Sequence, residues 1–410
     1  MSWIRSLAEQ VDLSREAGGW RSESPRAMLD RLLPLAPSMG ITRVSNITGL
    51  DHIGIPVAMA CRPNSMSISV AQGKGVTLDA ALTSALMEAA ETFYAETAPR
   101  DALFSYDEAG AANQALDPLL LPRVRGAGGR VTAVPIWWSV GRDLVRGSTL
   151  YVPYDLVHTD YRLQSGAGLS AFQVSTNGLA SGASLAEAIC HGLAELIERD
   201  ALSQWLALGR EERTRTRLRL DSGLPRSCRE VLDMYQAAGV SARVWNITSD
   251  VRVPAFLCLI SDHDNPYRRT SEGRGSGCHP VREVALLRAL TEAAQSRLGI
   301  ISGGRDDLIA ALYKGPYDRE QRRDITPEVA DFASIPECPT VTLADWIDFQ
   351  LAALDKAGMA TAAVCDLSVE GSGLAVARVV VEGLEGIAYK ANYRYGRRLL
   401  RRMLERGIAR

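Results

Sequence analysis

ALTSALMEAAETFYAE (residues 81–96), SLAEAICHGLAELIERD (184–200) and REVALLRALTEAAQSRLG (282–299) are the stretches on which the reading of this 410-residue chain turns. Each has the alanine and leucine content and the apolar spacing of a helix, and each carries acids along one side. At 100° per residue, Ser84, Glu88 and Glu91 fall within roughly 60° of one another, and Glu187, His191, Glu195 and Glu198 within roughly 80°. From Gly75 to Pro99 there are four acids, Asp79, Glu88, Glu91 and Glu96, and no Lys or Arg. A solvated helix interleaves basic residues at i+4. One acidic face is ordinarily a solvated face. Three in one chain, with almost no basic residues to neutralise them, indicate carboxylates that repel unless they are protonated or bridged by a cation. Magnesium is the expected cation, because hard divalent ions take oxygen ligands and complete their shell with nucleotide phosphates.

The rest of the composition is that of a globular protein, 46% hydrophobic and 23% charged, long enough for one large domain or two. A net charge of −2 argues against a global commitment to nucleic acid or anionic membrane, so an anionic ligand must be met locally. Seven scattered cysteines show no C-x-x-C and no zinc-finger spacing, and read as buried thiols in a reducing compartment. The opening MSWIRSLAEQVDLSREAGG lacks an apolar core, and no stretch reaches about 18 uninterrupted apolar residues, so neither a secretion signal nor a membrane span is expected and a cytoplasmic protein is.

Working outward from the helices, an amphipathic segment over 25–35 precedes strand-like ITRVSNITG (41–49) and IGIPVAMACR (53–62). Strands are expected at 131–140 and 149–157, and a polar Gly/Ser stretch over 164–184 leads to the second acidic helix. VSARVWNIT (240–248) and VPAFLCLIS (253–261) read as an antiparallel pair, followed by a glycine-rich loop, EGRGSGCHP (272–280), and the third helix. Strands follow at 360–368 and 375–384, then an arginine-rich helical tail. The recurrence of strand, strand, glycine-rich loop and acidic helix predicts an α+β fold with an internal pseudo-repeat, its helices gathered on one side of antiparallel sheets.

No G-x-x-x-x-G-K-[ST] is present, and G-R-G-S-G at 273–277 is not the dinucleotide fingerprint. A nucleotide would therefore be held by metal and side chains. Arg199 beside Glu198, and Arg288 one turn before Glu292, supply guanidinium forks for a polyphosphate. Arg297 lies roughly 140° from Glu292 on the helical wheel and reads equally as a structural residue or a site residue.

Ser84-x3-Glu88-x2-Glu91, the run Glu187…Glu195-x2-Glu198-Arg199, the pair Arg288-x3-Glu292, and the phrases NGLASG…EAICHGLAELIERD and ALTEAAQSR together resemble the YcaO family. The resemblance covers residues 40–300 and extends over the chain. It implies a YcaO-like fold in which ATP and several Mg2+ ions bind between these helices and a peptide substrate is activated at a backbone amide. Ser84, Glu88, Glu91, Glu187, Glu195, Glu198, Arg199, Arg288, Glu292 and Arg21 would then contact the nucleotide, and Glu88, Glu91, Glu187, Glu195, Glu198 and Glu292 the metal. It further implies an N-terminal region over 1–60, the ATP-binding catalytic domain over 61–392, a basic tail over 393–410, and a homodimer. ITRVSNITGLDHIGIPVAMACRPNS and QGKG (72–75) are similar to the branch found beside TfuA-like proteins, which implies thioamide formation with a TfuA-like partner. The arginine-rich tail lacks the proline-rich ending common in azoline-forming members.

Three positions depart from the family pattern. Thr92 stands where Arg commonly follows the last glutamate of the first motif, Ala183 where Asn precedes the second, and Met28 where a hydroxyl is common. An azoline-forming cyclodehydratase and a catalytically silent scaffold that binds a peptide are the competing expectations. Cys278 and His279 are adjacent, but side chains of consecutive residues diverge, so a catalytic dyad is not expected. His191 is expected to pair with a glutamate rather than bind metal, and Trp137 and Trp138 to be core or interface aromatics. The tail from Arg394 to Arg410 has seven arginines against Glu405 and reads as a solvated helix face, or as a dock for an acidic leader peptide or the partner protein.

Overall fold

The computed structural model describes the chain except for residues 1–2, 17, 108–113, 127–130, 163–169, 222, 263–271, 305–328, 388–391 and 408–410. Strands Arg43–Asn46 (β1), Val57–Cys61 (β2) and Val70–Lys74 (β3) form an antiparallel meander, and Leu78–Glu96 (α1) packs back onto it. Thr77 starts α1 by accepting the Ala80 N–H at 3.2 Å. Strands Ala102–Phe104 (β4), Ile136–Asp143 (β5), Thr149–Pro153 (β6) and Leu179–Gly182 (β7) belong to a second sheet and lead into helix Leu185–Leu206 (α2), capped by Ser184. A second meander follows, Val240–Asn246 (β8), Ala255–Asp262 (β9) and Glu272–Cys278 (β10), with Arg282–Ser302 (α3) packed on it. Helix Leu343–Lys356 (α4) and strands Ala362–Asp366 (β11) and Ala375–Val381 (β12) come next. The central sheet has the order β7-β12-β11-β5-β4, with β6 also paired to β5. Helix Arg397–Glu405 (α5) closes the described chain.

The expected glycine-rich loop at 272–280 is a strand over most of its length, β10, and the reason is close packing. A Cβ on Gly273, Gly275 or Gly277 would stand 2.2–2.3 Å from the carbonyl oxygens of Ala293, Ala289 and Ala285 of α3. Only glycine lets helix backbone rest directly on strand backbone. In the first meander, a Cβ on Gly73 would lie 2.1 Å from Ala81 O and Ala85 N of α1. One numerical offset carries Gly73, Ala81, Ala85 and Glu88 onto Gly277, Ala285, Ala289 and Glu292, so the pseudo-repeat is present residue by residue. Helix α2 follows a related rule, since a Cβ on Gly182 would stand 2.6 Å from Glu187 Cβ.

Other expectations are refined. The strand expected at 131–140 begins only after Pro135, which has no N–H for the ladder. The strand expected at 149–157 stops at Pro153 and continues as a 3₁₀ turn over Tyr154–Leu156. Gly/Ser-rich 164–184 contains strand β7, while its residues 164–169, like most of the GAGGR loop (126–130), lie outside the described residues. All seven cysteines are free and six are buried. Trp138 is fully buried and stacks on Phe104, whereas Trp137 is 42% exposed. Among the described residues no helix is long and apolar enough to cross a membrane.

The tail is not simply a solvated face. Arg398 donates to both oxygens of the fully buried Asp200 at 3.0 Å, and Arg406 pairs with Glu212 at 2.7 Å. Buried Glu385 accepts from the Tyr393 hydroxyl at 2.6 Å and from the Gly396 and Leu399 N–H groups at 2.9 and 2.8 Å. Asp200 follows Arg199 on α2, so the tail clamps the end of the helix that carries the second acidic motif.

Gly275→Ala should cost at least about 2 kcal/mol in denaturant unfolding, because the added methyl meets unyielding helix backbone. Gly49→Ala, whose Cβ would meet nothing within 4 Å, should change stability by less than about 0.5 kcal/mol. Equal effects would show that α3 does not sit on its strand as described.

Candidate functional site

The two meanders and the central sheet enclose a cavity of about 780 Å³. All ten residues singled out from the sequence line it: Ser84, Glu88 and Glu91 from α1, Glu187, Glu195, Glu198 and Arg199 from α2, Arg288 and Glu292 from α3, and Arg21 from an N-terminal hairpin. The hairpin is tied to the cavity by Glu187, whose carboxylate accepts from Ser22 N–H at 3.0 Å, Ser22 Oγ at 2.8 Å and Ala183 N–H at 3.0 Å. Both oxygens of Glu187 are thus engaged by the protein.

Residues that sequence reasoning passed over join the three parts. Lys74, at the end of β3, pairs with Glu292 of α3 at 3.0 Å. Ser276 of β10 donates to Glu198 of α2 at 2.6 Å, and its N–H to Glu292 at 3.2 Å. Ser181 of β7 donates to Glu91 of α1 at 2.7 Å. Arg199 lies 3.2 Å from Glu198 and 3.5 Å from Glu195. The alternation of strands could have found them: Gly273, Gly275 and Gly277 rest on the helix while Arg274 and Ser276 line the cavity, and Gly73 rests on its helix while Gln72 and Lys74 line the cavity.

Among the described residues the lining contains seven carboxylates against five Lys and Arg side chains. Burial, with the charges of Glu88 and Glu195 added, pushes Glu91 up to about 8, against the pull of the Ser181 hydrogen bond. Burial likewise pushes Glu195 up to about 7, opposed by Arg199 and aided by Glu198 and Glu292. Glu198 is raised by burial and by Glu292, while at Glu292 the Lys74 ammonium and Arg199 outweigh burial and hold the carboxyl down. Burial and the facing Arg21 lower Arg288 to about 10.

Several expectations change. The acids of the Gly75–Pro99 window are not all without bases, for Glu96 forms a buried pair with Arg62 at 2.6 Å and Asp79 lies 3.9 Å from Arg26. The argument from unbalanced charge therefore rests on Glu91, which burial and the charges of Glu88 and Glu195 raise. His191 lines the cavity, but among the described residues no hydrogen bond or ion pair joins it to a glutamate; burial and the cations Arg288, Arg21 and Lys74 keep it neutral. Arg297 is structural, paired with Asp51 at 2.8 Å and absent from the lining. Cys278 is wholly buried with its thiol pushed far up by burial, and His279 Nδ1 accepts the Val281 N–H, so the two form no dyad. Met28 sits in the cavity wall.

The donor set suits a hard cation whose shell is completed from outside the protein. A raised pKa marks a carboxyl whose charged form is disfavoured by burial and neighbouring acids until a cation is present, and oxygen is its only donor. Among the described residues no three His, Cys, Asp or Glu side chains converge closely enough to hold an ion alone. Magnesium bound by one or two carboxylates plus phosphate and water fits this arrangement, whereas a protein-only cage does not. The cavity also holds the guanidinium groups of Arg199 and Arg288 that a polyphosphate requires.

Residues 72–385 match the family described as YcaO cyclodehydratase, ATP- and Mg2+-binding. An uncharacterized protein in the tfuA 3' region of Rhizobium leguminosarum bv. trifolii is 38% identical over 312 residues, 74% of each chain. An uncharacterized protein of Methanothermobacter thermautotrophicus is 33% identical over 391 residues, 92% of this chain and 97% of that one. Among solved structures, YcaO from Methanopyrus kandleri bound with AMPPCP and Mg2+ superposes with a TM-score of 0.71 at 22% identity, covering 90% of this chain and 94% of that one. A heterocyclase in complex with substrate and cofactor gives 0.76 at 20% identity over 98% of this chain, which spans 58% of the heterocyclase.

The raised carboxyls make a pH prediction. Glu91, ordinarily near 4.5 and here about 8, keeps its proton in the folded metal-free chain where the unfolded chain has lost it. The unfolded state then binds fewer protons, so this group's contribution falls as pH rises from about 4.5 to about 8. Unfolding measured at about pH 5 and about pH 8 should show a smaller loss for Glu91→Gln than for the wild type, and magnesium should restore wild-type stability at the higher pH. Parallel pH profiles for the two proteins would remove Glu91 from the charged cluster.

Proposed function

The chain belongs to the YcaO family, and on that premise we propose that it activates a peptide backbone amide by ATP- and Mg2+-dependent O-phosphorylation and forms a thioamide, with a TfuA-like protein as partner. The observation that carries the reading is one cavity in which Glu91 of α1 and Glu195 of α2, with raised pKa values, and Glu292 of α3 face Arg199 and Arg288. Magnesium-bound ATP supplies the phosphoryl group that turns an amide oxygen into a leaving group.

The protein's own residues then position and neutralise. Glu88, Glu91, Glu195 and Glu198 offer oxygens to the cation. Glu292 is held by Lys74, and Glu187 secures the hairpin that brings Arg21 to the rim. In this reading Arg199 and Arg288, both in the cavity lining, hold phosphate oxygens, charge that matters most where water is scarce. No enzyme nucleophile is required. Cys190 is the cysteine in the lining, and burial pushes its thiol up to about 12, so it stays protonated. The attacking sulfur must come from outside the chain.

Thioamide formation is favoured by the relative from the tfuA 3' region and by the arginine-rich composition of the tail. Azoline formation is the second reading, favoured by the family description as cyclodehydratase.

Calorimetry should show ATP binding that requires magnesium and weakens by at least about tenfold in Glu198→Ala and in Glu91→Ala. Absence of binding, alone and with a TfuA-like protein, would overturn the enzymatic reading. Mass spectrometry of a modified peptide separates the two products. Exchange of oxygen for sulfur raises the mass and consumes a sulfur donor, whereas loss of one water at a Cys, Ser or Thr identifies azoline formation.

A further inference from the structure

Two short strands, Arg123–Val124 and Tyr393–Arg394, pair antiparallel with Arg123 directly opposite Arg394. Like charges opposed across a ribbon cost stability, and a fold has no internal reason to keep them there. Arg397 opens α5 just beyond and adds to the repulsion; burial, then Arg394 and Arg397, depress the Arg123 guanidinium, and Asp117 is the carboxylate that opposes them. Asp117 is itself engaged as the cap of a 3₁₀ turn, accepting the Leu119 N–H at 2.8 Å. Arg125 lies 5.5 Å from the ring of Tyr395.

The clamp separates the arginines of the tail into two sets. Arg398 and Arg406 are consumed by Asp200, Asp250 and Glu212. Arg123, Arg125, Arg394, Arg397 and Arg401 make no ion pair among the described residues. On α5, Arg397, Leu400, Arg401 and Leu404 fall within roughly 100° of the helical wheel. Leu400 is 40% and Leu404 58% exposed, while Leu399 is buried beneath. The outward side of the tail is therefore apolar and basic together, next to the arginine ribbon.

We propose that this face, formed by Arg123, Arg394, Arg397 and Arg401 with Leu400 and Leu404, docks an acidic amphipathic peptide segment. Its carboxylates would meet the arginines and its apolar side the two leucines. A nucleic acid answers the charge but not the leucines, and the chain as a whole carries a net charge of −2. The inference extends the amide-activation reading to how the peptide is recognised, and rests on that reading only in taking the docked segment to be part of a substrate. Binding in one place with chemistry in another raises the effective concentration of the remainder of the same peptide.

The probe is a fluorescein-labelled synthetic peptide with Glu and Leu at helical spacing, with a Lys/Leu peptide of the same pattern as control. Both are titrated by anisotropy into the full chain without nucleotide or magnesium, and Mg2+-ATP binding is measured separately on the same preparation. The Glu/Leu peptide should bind saturably, lose affinity as salt is raised, and outcompete the Lys/Leu peptide. Arg394→Glu with Arg397→Glu should weaken it about tenfold or more. Arg401→Glu, on the exposed side of α5, should weaken it about threefold with no change in thermal unfolding, which separates a lost contact from a misfolded tail. No Glu/Leu binding while Mg2+-ATP still binds overturns this inference and leaves amide activation standing. Binding indifferent to both charge reversals, or tighter binding of oligouridylate at the same arginines, also overturns it.

Discussion

Helix backbone laid directly on strand backbone is the constraint from which the rest of this structure follows. At Gly73, and again at Gly273, Gly275 and Gly277, a side chain of even one carbon would overlap a helix carbonyl. Contact this close fixes both the height and the rotation of α1 and α3 against their sheets. Rotation is what matters for chemistry, since it decides whether Glu88 and Glu292 face the cavity or the solvent. The alanines at 81, 85, 285 and 289 are the other half of the fit, because a larger residue there would lift the helix. Glycine and alanine, which contribute least to a hydrophobic core, are here the residues that place the acids.

Having placed them, the protein leaves them under-neutralised. Lys74 pairs with Glu292 and Arg199 with Glu198 and Glu195, Ser181 donates to Glu91 and Ser276 to Glu198 and Glu292, and Glu91 and Glu195 still sit well above the ordinary carboxyl range. A purely structural network would be closed by its own partners, as Arg398 closes on Asp200 and Arg297 on Asp51. The contrast between these satisfied pairs and the open cavity argues against a silent scaffold. Buried carboxylates that repel one another cost stability in the empty chain and are understandable where a cation offsets that cost.

The helices and their acidic faces were legible because a 3.6-residue period and a run without bases are local properties. The wheel angle of Arg297 was legible for the same reason. What could not be seen were pairings between distant segments: Arg62 with Glu96, Lys74 with Glu292, Ser276 with Glu198. Nothing in the neighbourhood of residue 96 announces a guanidinium from residue 62. The β10 strand was misread for a different reason. Glycine signals turns, and three glycines in five residues outvote strand propensity, yet their spacing of two was itself a strand period with one face reserved for helix backbone. The tail misled because its arginines look alike in sequence, and only packing separates Arg398, driven inward against Asp200, from Arg397 beside it.

Thr92 and Ala183 show how the departures from the family pattern are absorbed. At position 92 the guanidinium is not lost from the neighbourhood but arrives from Arg62, which donates to Thr92 Oγ1 at 3.0 Å, to Glu96, and to the carbonyls of Met39 and Ala89. With its donors committed to those partners, Arg62 is not in the cavity lining and does not neutralise Glu91. At position 183 no amide side chain is present, and the backbone N–H itself holds Glu187. At both positions other groups hold the acid nearby, Arg62 at Glu96 and backbone N–H at Glu187. Glu91 stays well above the ordinary carboxyl range, and a cation beside it would stabilise its charged form.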